Sequence, residues 1–428
     1  VIDPGVTLTI QPGVRIFGEA ATKGMLIVDT GAVLIADGQP NPLAAPDPII
    51  FTSCRPVDER EPGDWGGITI LGRAENNDAS EFIEVDRSCA TFYGGRAANH
   101  LQNDNSGSLR YVQLHYAGGG DVGDNYVNGL TLVSIGNGTI LEHVQVSHSL
   151  TNGFMYLGGT VNSKYLAGYN NQWADFWYTR GYVGFGQFLL SLRMDPTVYD
   201  PLNPELSNGI LAENNIDAPL FAGVPQTNPV LSNVSIFGPR YCDDETSTGA
   251  ITGVTFRNNA AGSIYNSFTG GYPTGLFIQD DLTIVNAQND LVNFGYSSFY
   301  QNNDDFESDP NNFNPNSDFC ANTIDIWMMG PGLCVEEGNE ILPSVGYHSS
   351  ICNQTYCGSG NRPEFVLSDN DMDFPDFSAD VLDNPFFETD NDGIEYRGAF
   401  GETDWTYDWT DWCSLETDYC PELQQQNS

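Results

Sequence analysis

Basic residues are scarce in this chain. Fifteen lysines and arginines stand against 57 aspartates and glutamates, a formal charge of −42, and Lys23 and Lys164 are the only two lysines. Such a surface repels phosphate backbones and anionic lipid, which excludes nucleic acid and polybasic membrane docking as modes of binding. It also repels acidic polysaccharides unless divalent cations bridge the two. Long apolar runs are missing as well: no stretch approaches the 20 or so residues that a membrane-spanning helix needs. The familiar catalytic signatures are absent, with neither a Gly-x-Ser-x-Gly elbow nor a phosphate-cradling Gly-x-x-x-x-Gly-Lys loop. Gly118-Gly119-Gly120-Asp121-Val122-Gly123 fits a dinucleotide fingerprint by letter. The next stretch, Tyr126 to Val133, reads as a strand, so no helix N-terminus awaits a pyrophosphate. The five histidines are scattered. His143 and His148 lie five apart on a strand and are read as surface or stacked residues rather than ligands.

What the chain does have is hydrophobic content (40%, with 12% aromatic) sufficient for a large core, distributed in short β-rich runs between Gly, Asn, Pro and Asp turns. The clearest stretch is Leu109 to Asn170. There Leu109, Val112 and Gln113 superimpose on Leu141, Val144 and Gln145, and a related run appears at Val161 to Ala167. Strands too short to bury a core alone, recurring at a near-constant offset, are the mark of a solenoid. The fold expected is all-β, a single-stranded parallel β-helix. Roughly ten coils at about 4.8 Å each make a rod about 50 Å long.

Period-2 alternation begins at once in VTLTIQPGVRIFG, MLIVDTGAVLIADG and DPIIFTSC, then GDWGGITILGRA supplies the next coil. Residues 75–106 are polar and read as a surface excursion, and the proline-rich 195–227 reads as a long loop. The coil pattern resumes over 228–239 and 253–278. The division expected is a β-helix over 1–300 and an irregular cap over 301–428, packed on the last coils. An opening that falls directly on a strand predicts that something covers that end, whether a further segment or a neighbouring molecule.

Nine cysteines are present, six of them from Cys320 onward. Without Cys-x-x-Cys or paired Cys/His spacing zinc is disfavoured. Disulfides in an oxidising compartment fit better, each worth about 3 kcal/mol for a loop of about 15 residues. Cys320 with Cys334, Cys352 with Cys357, and Cys413 with Cys420 are local candidates, although spacing alone does not fix connectivity.

Together GVTLTIQPGV, GDWGGITILGRA, DNSGSLRYVQLHYAG, NGLTLVSIGNGT, GGTVNSKYLA, RNNAAGSIYNSFTGGYPTGL and YRGAFGETDWTYDWTDW resemble the large secreted or outer-surface β-helix proteins of Bacteroidota and related bacteria. The resemblance runs to about Trp412. It implies a β-helix outside the cell or on its outer surface, and no particular activity. Members of that family often carry acidic pairs before and after the GGTVN segment; here only Asp175 remains.

Candidate chemistry is sparse. Gln279-Asp280-Asp281 resembles the aspartate pair of polygalacturonase-type β-helices, whose companion Gly-His-Gly and Arg-Ile-Lys signatures are missing. Arg180 and Arg193 are candidate bases for a lyase. Calcium is the cofactor expected, at Glu388, Asp390 and Asp392 before the bend at Gly393, or at the alternate acids Asp369, Asp371 and Asp373. Trp173, Trp177 and Tyr178 are candidate carbohydrate-stacking residues. Trp405, Trp409 and Trp412 recur at helical spacing and predict a helix docked on the rod. The function expected is a non-enzymatic structural or adhesive component of a surface assembly, partnered by other surface proteins, copies of itself or glycans. The alternative is a glycan-binding or polysaccharide-cleaving β-helix that depends on calcium.

Overall fold

Among the described residues nine short strands, most of them apolar, stack side by side into one sheet. They run from Leu26–Val28 through Ile68–Leu71, Leu130–Ile135, Phe154–Gly159, Phe176–Thr179, Asn208–Glu213, Thr252–Arg257 and Thr274–Gln279 to Asp304–Asp309. Every neighbouring pair is parallel. This is sheet A. The chain passes from each of its strands to a fourteen-stranded sheet B, so successive coils climb one axis as a parallel β-helix. The computed structural model describes residues 1–87, 90–95, 100–120, 127–239, 252–309, 323–330, 338–342, 363, 365 and 375–419.

Sheet B has two faces. Its long strands Gly107–His115 and Val230–Phe237 each pair with two separate strands, toward the first and the last coils respectively. The bend between the faces falls on a left-handed residue that recurs coil after coil: Tyr111, His143, Tyr165, Phe188, Asn233, Asn266 and Tyr296, all with φ between 49° and 58°. An L-residue pays roughly 1–2 kcal/mol for that conformation, and here stacking offsets it. His143 lies between the rings of Tyr111 and Tyr165 at 4.4 and 4.6 Å, and Tyr165 stacks on Phe188 at 5.0 Å.

Inward side chains form columns along the axis. Phe154 stacks on Phe176 at 5.1 Å and Tyr156 on Tyr178 at 4.8 Å, all fully or almost fully buried. One end of this core is closed by a short helix, Ile324–Met329, which buries Ile324, Trp327 and Met328. At the other end an apolar cavity of about 650 Å³ opens between Leu8, Ile10, Val14, Met25, Phe51 and Trp65.

Several elements depart from the sequence reading. The polar excursion holds an antiparallel hairpin, Ile83–Arg87 with Ala90–Gly94, which lays Ile83, Val85 and Phe92 over the outside of sheet A against Leu71, Val133 and Leu157. The supposed loop 195–227 contributes a sheet A strand, Asn208–Glu213. Stacked strands continue beyond residue 300, through Asp304–Asp309 and Glu340–Ile341.

The described C-terminal residues 375–419 run along the outside of sheet B as a strap that reaches well beyond the last coils, which it meets where Arg397 bonds Ser298 and Glu340. Asp376 bonds Asn266, Glu388 bonds Gln187, Asp411 bonds Gln145, and Tyr419 reaches Arg15. Trp409 and Trp412 are buried, as the aromatic stripe predicts, but on turns rather than a helix. No helix among the described residues is long and apolar enough to cross a membrane.

Candidate functional site

The acid and base candidates fall on the corners of the coil, where each carries structure. Asp280 succeeds the strand Thr274–Gln279 with φ 72° and caps the helix Asp281–Gln288, accepting from the backbone N–H of Leu282 and Thr283 at 3.0 Å each. Its other oxygen accepts from Asn258 N–H and from Thr283 Oγ1. A carboxylate holding four donors is an N-cap, and the neighbouring Asp281 lies in the first turn of the helix. Arg180 lies on a corner with φ 56°, its guanidinium buried among Asp78, Asn215 and Asp217. Here the excursion and the loop after Asn208–Glu213 are tied together.

Asp175 and Arg193 lie near another corner, close enough to feel each other's charge but without a direct ion pair, and both are completely buried. Asp175 accepts from Ser191 Oγ at 2.6 Å and Asn171 Nδ2 at 2.7 Å. Arg193 donates to the carbonyls of Trp173, Val198 and Asn208. Burial pushes the Asp175 carboxyl above its ordinary range, and Arg193 with the two hydrogen bonds pulls it back. The sequence gives no hint that these two lie close, and they do so without any opening to solvent. Neither can reach a substrate.

The remaining candidates are scattered over the rod. Tyr178, a candidate sugar-stacking residue by sequence, is 1% exposed inside the rod and stacks on Tyr156 and Tyr182, which rules out that role. Trp173 is half-buried and donates Nε1 to Asp200. Trp177 is half-buried on the outer face of sheet A, in the same column as Phe277, three strands farther on. At about 4.8 Å per strand the two rings are about 14 Å apart. Leu211 and Thr255, which lie between them in the column, are buried, so the two rings are separate half-buried edges.

Glu388 turns toward the rod, where Lys164 Nζ lies at 2.8 Å and Tyr165 donates its hydroxyl. Asp392 closes a capping box with Thr389, and Gly393 takes the left-handed bend that its position predicts. Glu388, Asp390 and Asp392 therefore do not converge, and no set of three or more potential metal-ligating side chains is found among the described residues. Asp369, Asp371 and Asp373 lie outside those residues, as do Cys320, Cys334, Cys352, Cys357 and Cys420. Cys413 is disulfide-bonded.

The most extensive polar recognition lies between strap and rod, and no sequence motif announces it. Gln145 donates to Asp411 O at 2.9 Å and accepts from Asp411 N–H at 2.8 Å. Gln187 grips Glu388 in the same two-way fashion at 2.7 and 2.8 Å, and Asn266 grips Asp376 at 2.9 and 2.8 Å. Gln113 and Asn233 add single bonds to Trp409 O and Tyr396 O. Gln145, Gln187 and Asn266 thus offer the strap the donor and acceptor of a strand edge. The one signal in the chain is the Gln113/Gln145 repeat, which reports register and, in addition, a conserved spacing of outward amides along the coils.

Under the strap, Ser147 Oγ is 2.5 Å from His115 Nδ1, and His115 Nε2 is 3.1 Å from Gln113 Oε1. Gln113 Oε1 can only accept, so Nε2 carries the proton and Nδ1 accepts from Ser147. This resembles a nucleophile, a base and its orienting group, but Tyr419 stacks over the imidazole and both residues are fully buried.

The sequence model described as a pectate-lyase-like beta helix domain matches residues 1–332. No curated protein and no solved structure gives a significant match.

Proposed function

Because this chain belongs to the pectate-lyase-like β-helix family, we propose that it is a member without catalysis, a rigid rod in an extracellular or outer cell-surface assembly. One observation carries the reading. Asp280, Asp175, Arg180 and Arg193, the groups with the right chemistry to cleave a glycan, are committed to capping, buried hydrogen bonding and loop anchoring. Glycoside hydrolysis needs two carboxylates flanking the scissile bond, one of them protonated. A rod with a charge of −42 suits a salty exterior, where the Debye length is short. A surface layer of a bacterium such as the Bacteroidota, as the sequence resemblance implies, is the proposed setting. Its partners would be other surface proteins or copies of itself.

The test is a turnover screen against pectins, alginate and neutral polysaccharides, with and without calcium. No turnover by the native protein is expected. Turnover abolished in Asp280→Ala or Asp281→Ala would refute the reading. Cell fractionation checks the location, and peptide mapping without reductant checks the proposed Cys413–Cys420 bridge.

A second reading, favoured by the half-buried Trp177 and Phe277 on sheet A, is glycan binding without cleavage. Trp177→Ala should then retard less in affinity electrophoresis through the bound polysaccharide. Calcium at Asp369, Asp371 and Asp373 is a companion proposal. It is tested by terbium luminescence in the native chain and in Asp371→Asn.

A further inference from the structure

Three of the five histidines lie beneath the strap, on the outer side of sheet B. His143 is sandwiched between Tyr111 and Tyr165, with Trp409 of the strap edge-on at 5.7 Å. His115 lies under Tyr419 at 5.9 Å, and His148 stacks on Tyr116 at 5.1 Å and meets Tyr169 edge-on. The hydroxyl of Tyr116 in turn bonds Ser414 of the strap at 2.9 Å. None of the three contributes to the apolar columns inside the rod. The strap closes over these seats with Trp409 at His143 and Tyr419 at His115, while the walls of the His143 and His148 seats belong to the coils.

We propose that the strap is an acid-released latch: protonation of His115, His143 and His148 lifts residues 396–419 from sheet B while the coils stay stacked.

The seats are built for neutral imidazoles. His143 Nδ1 is buried without a hydrogen-bond partner, so a proton arriving there finds no acceptor. The charged neighbour of His143 is Arg110, which repels a second cation and is itself shared between Asp37 and Glu142. His115 faces Arg60 from the loop after the second coil, His148 from the next coil, and Asp411 with Tyr419 from the strap. Arg60 is fixed there by the carbonyls of Ser414 and Thr417. His148 faces Asp411 and Asp195. Those two carboxylates favour protonation, but burial outweighs them. Desolvation holds His115 and His143 down at about 3 and His148 at about 4. With the strap lifted the histidines stay on their coils but gain water, and their pKa moves back toward the free value of about 6.5. At pH 5 full recovery sets a ceiling of about 30-fold per histidine, and about 10⁴-fold for the three together, on the shift toward the lifted strap.

Hydrogen exchange of the full chain tests this, comparing peptides from 396–419 with coil peptides from 129–169 at pH 7.5 and 5.0 after correction for intrinsic rates. On acidification strap protection should fall by at least 100-fold with coil protection retained, and should return at pH 7.5. His143→Phe with His148→Asn removes two titrating groups using residues that the same corners already hold, Phe188 and Asn170, both with positive φ. That variant should keep its strap seated at pH 5, with protection up to about 10³-fold above the native chain. If it fails to seat the strap at pH 7.5, His148→Asn alone is used, with up to about 30-fold expected. Equal strap protection at both pH values, loss of strap and coils together, or release of the variants at the native pH would each overturn the proposal.

Discussion

Replacing Asp175 by alanine should destabilise its coils while touching no surface. Arg193 would be left 0% exposed, its guanidinium facing only carbonyls, and the donors of Ser191 and Asn171 would lose their acceptor. Leaving these buried donors without an acceptor costs about 1–3 kcal/mol, and the nearby guanidinium also loses the field of the carboxylate. Arg193→Met is the informative partner. Without the arginine, nothing charged pulls the Asp175 carboxyl down, and its folded-state pKa rises further above the unfolded value. Stability from such a group is fully present below the unfolded pKa and is lost as pH rises through the folded one. The deficit of Arg193→Met should therefore grow as pH rises from about 4, the unfolded carboxylate range, toward neutrality. The double variant Asp175→Leu with Arg193→Met should be less damaged than the sum of the singles, as coupled buried neighbours are. Urea unfolding monitored by tryptophan fluorescence gives the totals. Hydrogen exchange over 170–194 gives the local cost, since coils of a solenoid open semi-independently. Singles below about 1 kcal/mol that add in the double would refute the reasoning.

Asp280→Ala should lose an N-cap, about 1 kcal/mol, visible as faster exchange over 281–288. Gln145→Ala with Gln187→Ala removes two of the two-way amide grips and should raise exchange across 388–411 at neutral pH, with the coils unaffected. Phe176→Ala opens a hole in the interior stack and should cost about 3–5 kcal/mol by denaturant midpoint.

The coil register was legible in the chain itself. Leu109 and Leu141, Val112 and Val144, and Gln113 and Gln145 are the pairs that hydrogen-bond across neighbouring coils. They were readable because inward positions must stay apolar and outward ones recur with them. NGILAE at 208–213 does not read as a strand: only six residues long and flanked by prolines, it owes its place to neighbours on both sides. The hairpin at 83–94 was hidden for the opposite reason, since its few apolar residues face a surface that no local pattern announces. The aromatic stripe gave burial correctly at Trp409 and Trp412 but the wrong local shape. Edge-on and tilted ring contacts with Tyr111, His143 and Phe365 decide it, not helix period. The strap's seat was out of reach for a simpler reason. Its bonds join residues such as Gln187 and Glu388, 201 positions apart. Tyr178 reads as a surface ring only when strand alternation is not carried through its coil.

The direction of the strap has a mechanical meaning. Pulling the two ends of the molecule apart along its axis would load interstrand hydrogen bonds one layer at a time, as a stack of coins parts at its weakest join. A covalent tie lying lengthwise over those layers, fastened at Asn266, Gln187, Gln145 and Arg15, spreads that tension over several fastenings at once. Resistance to stretching would then be set by shear of the tie, and would fall sharply when it is undone.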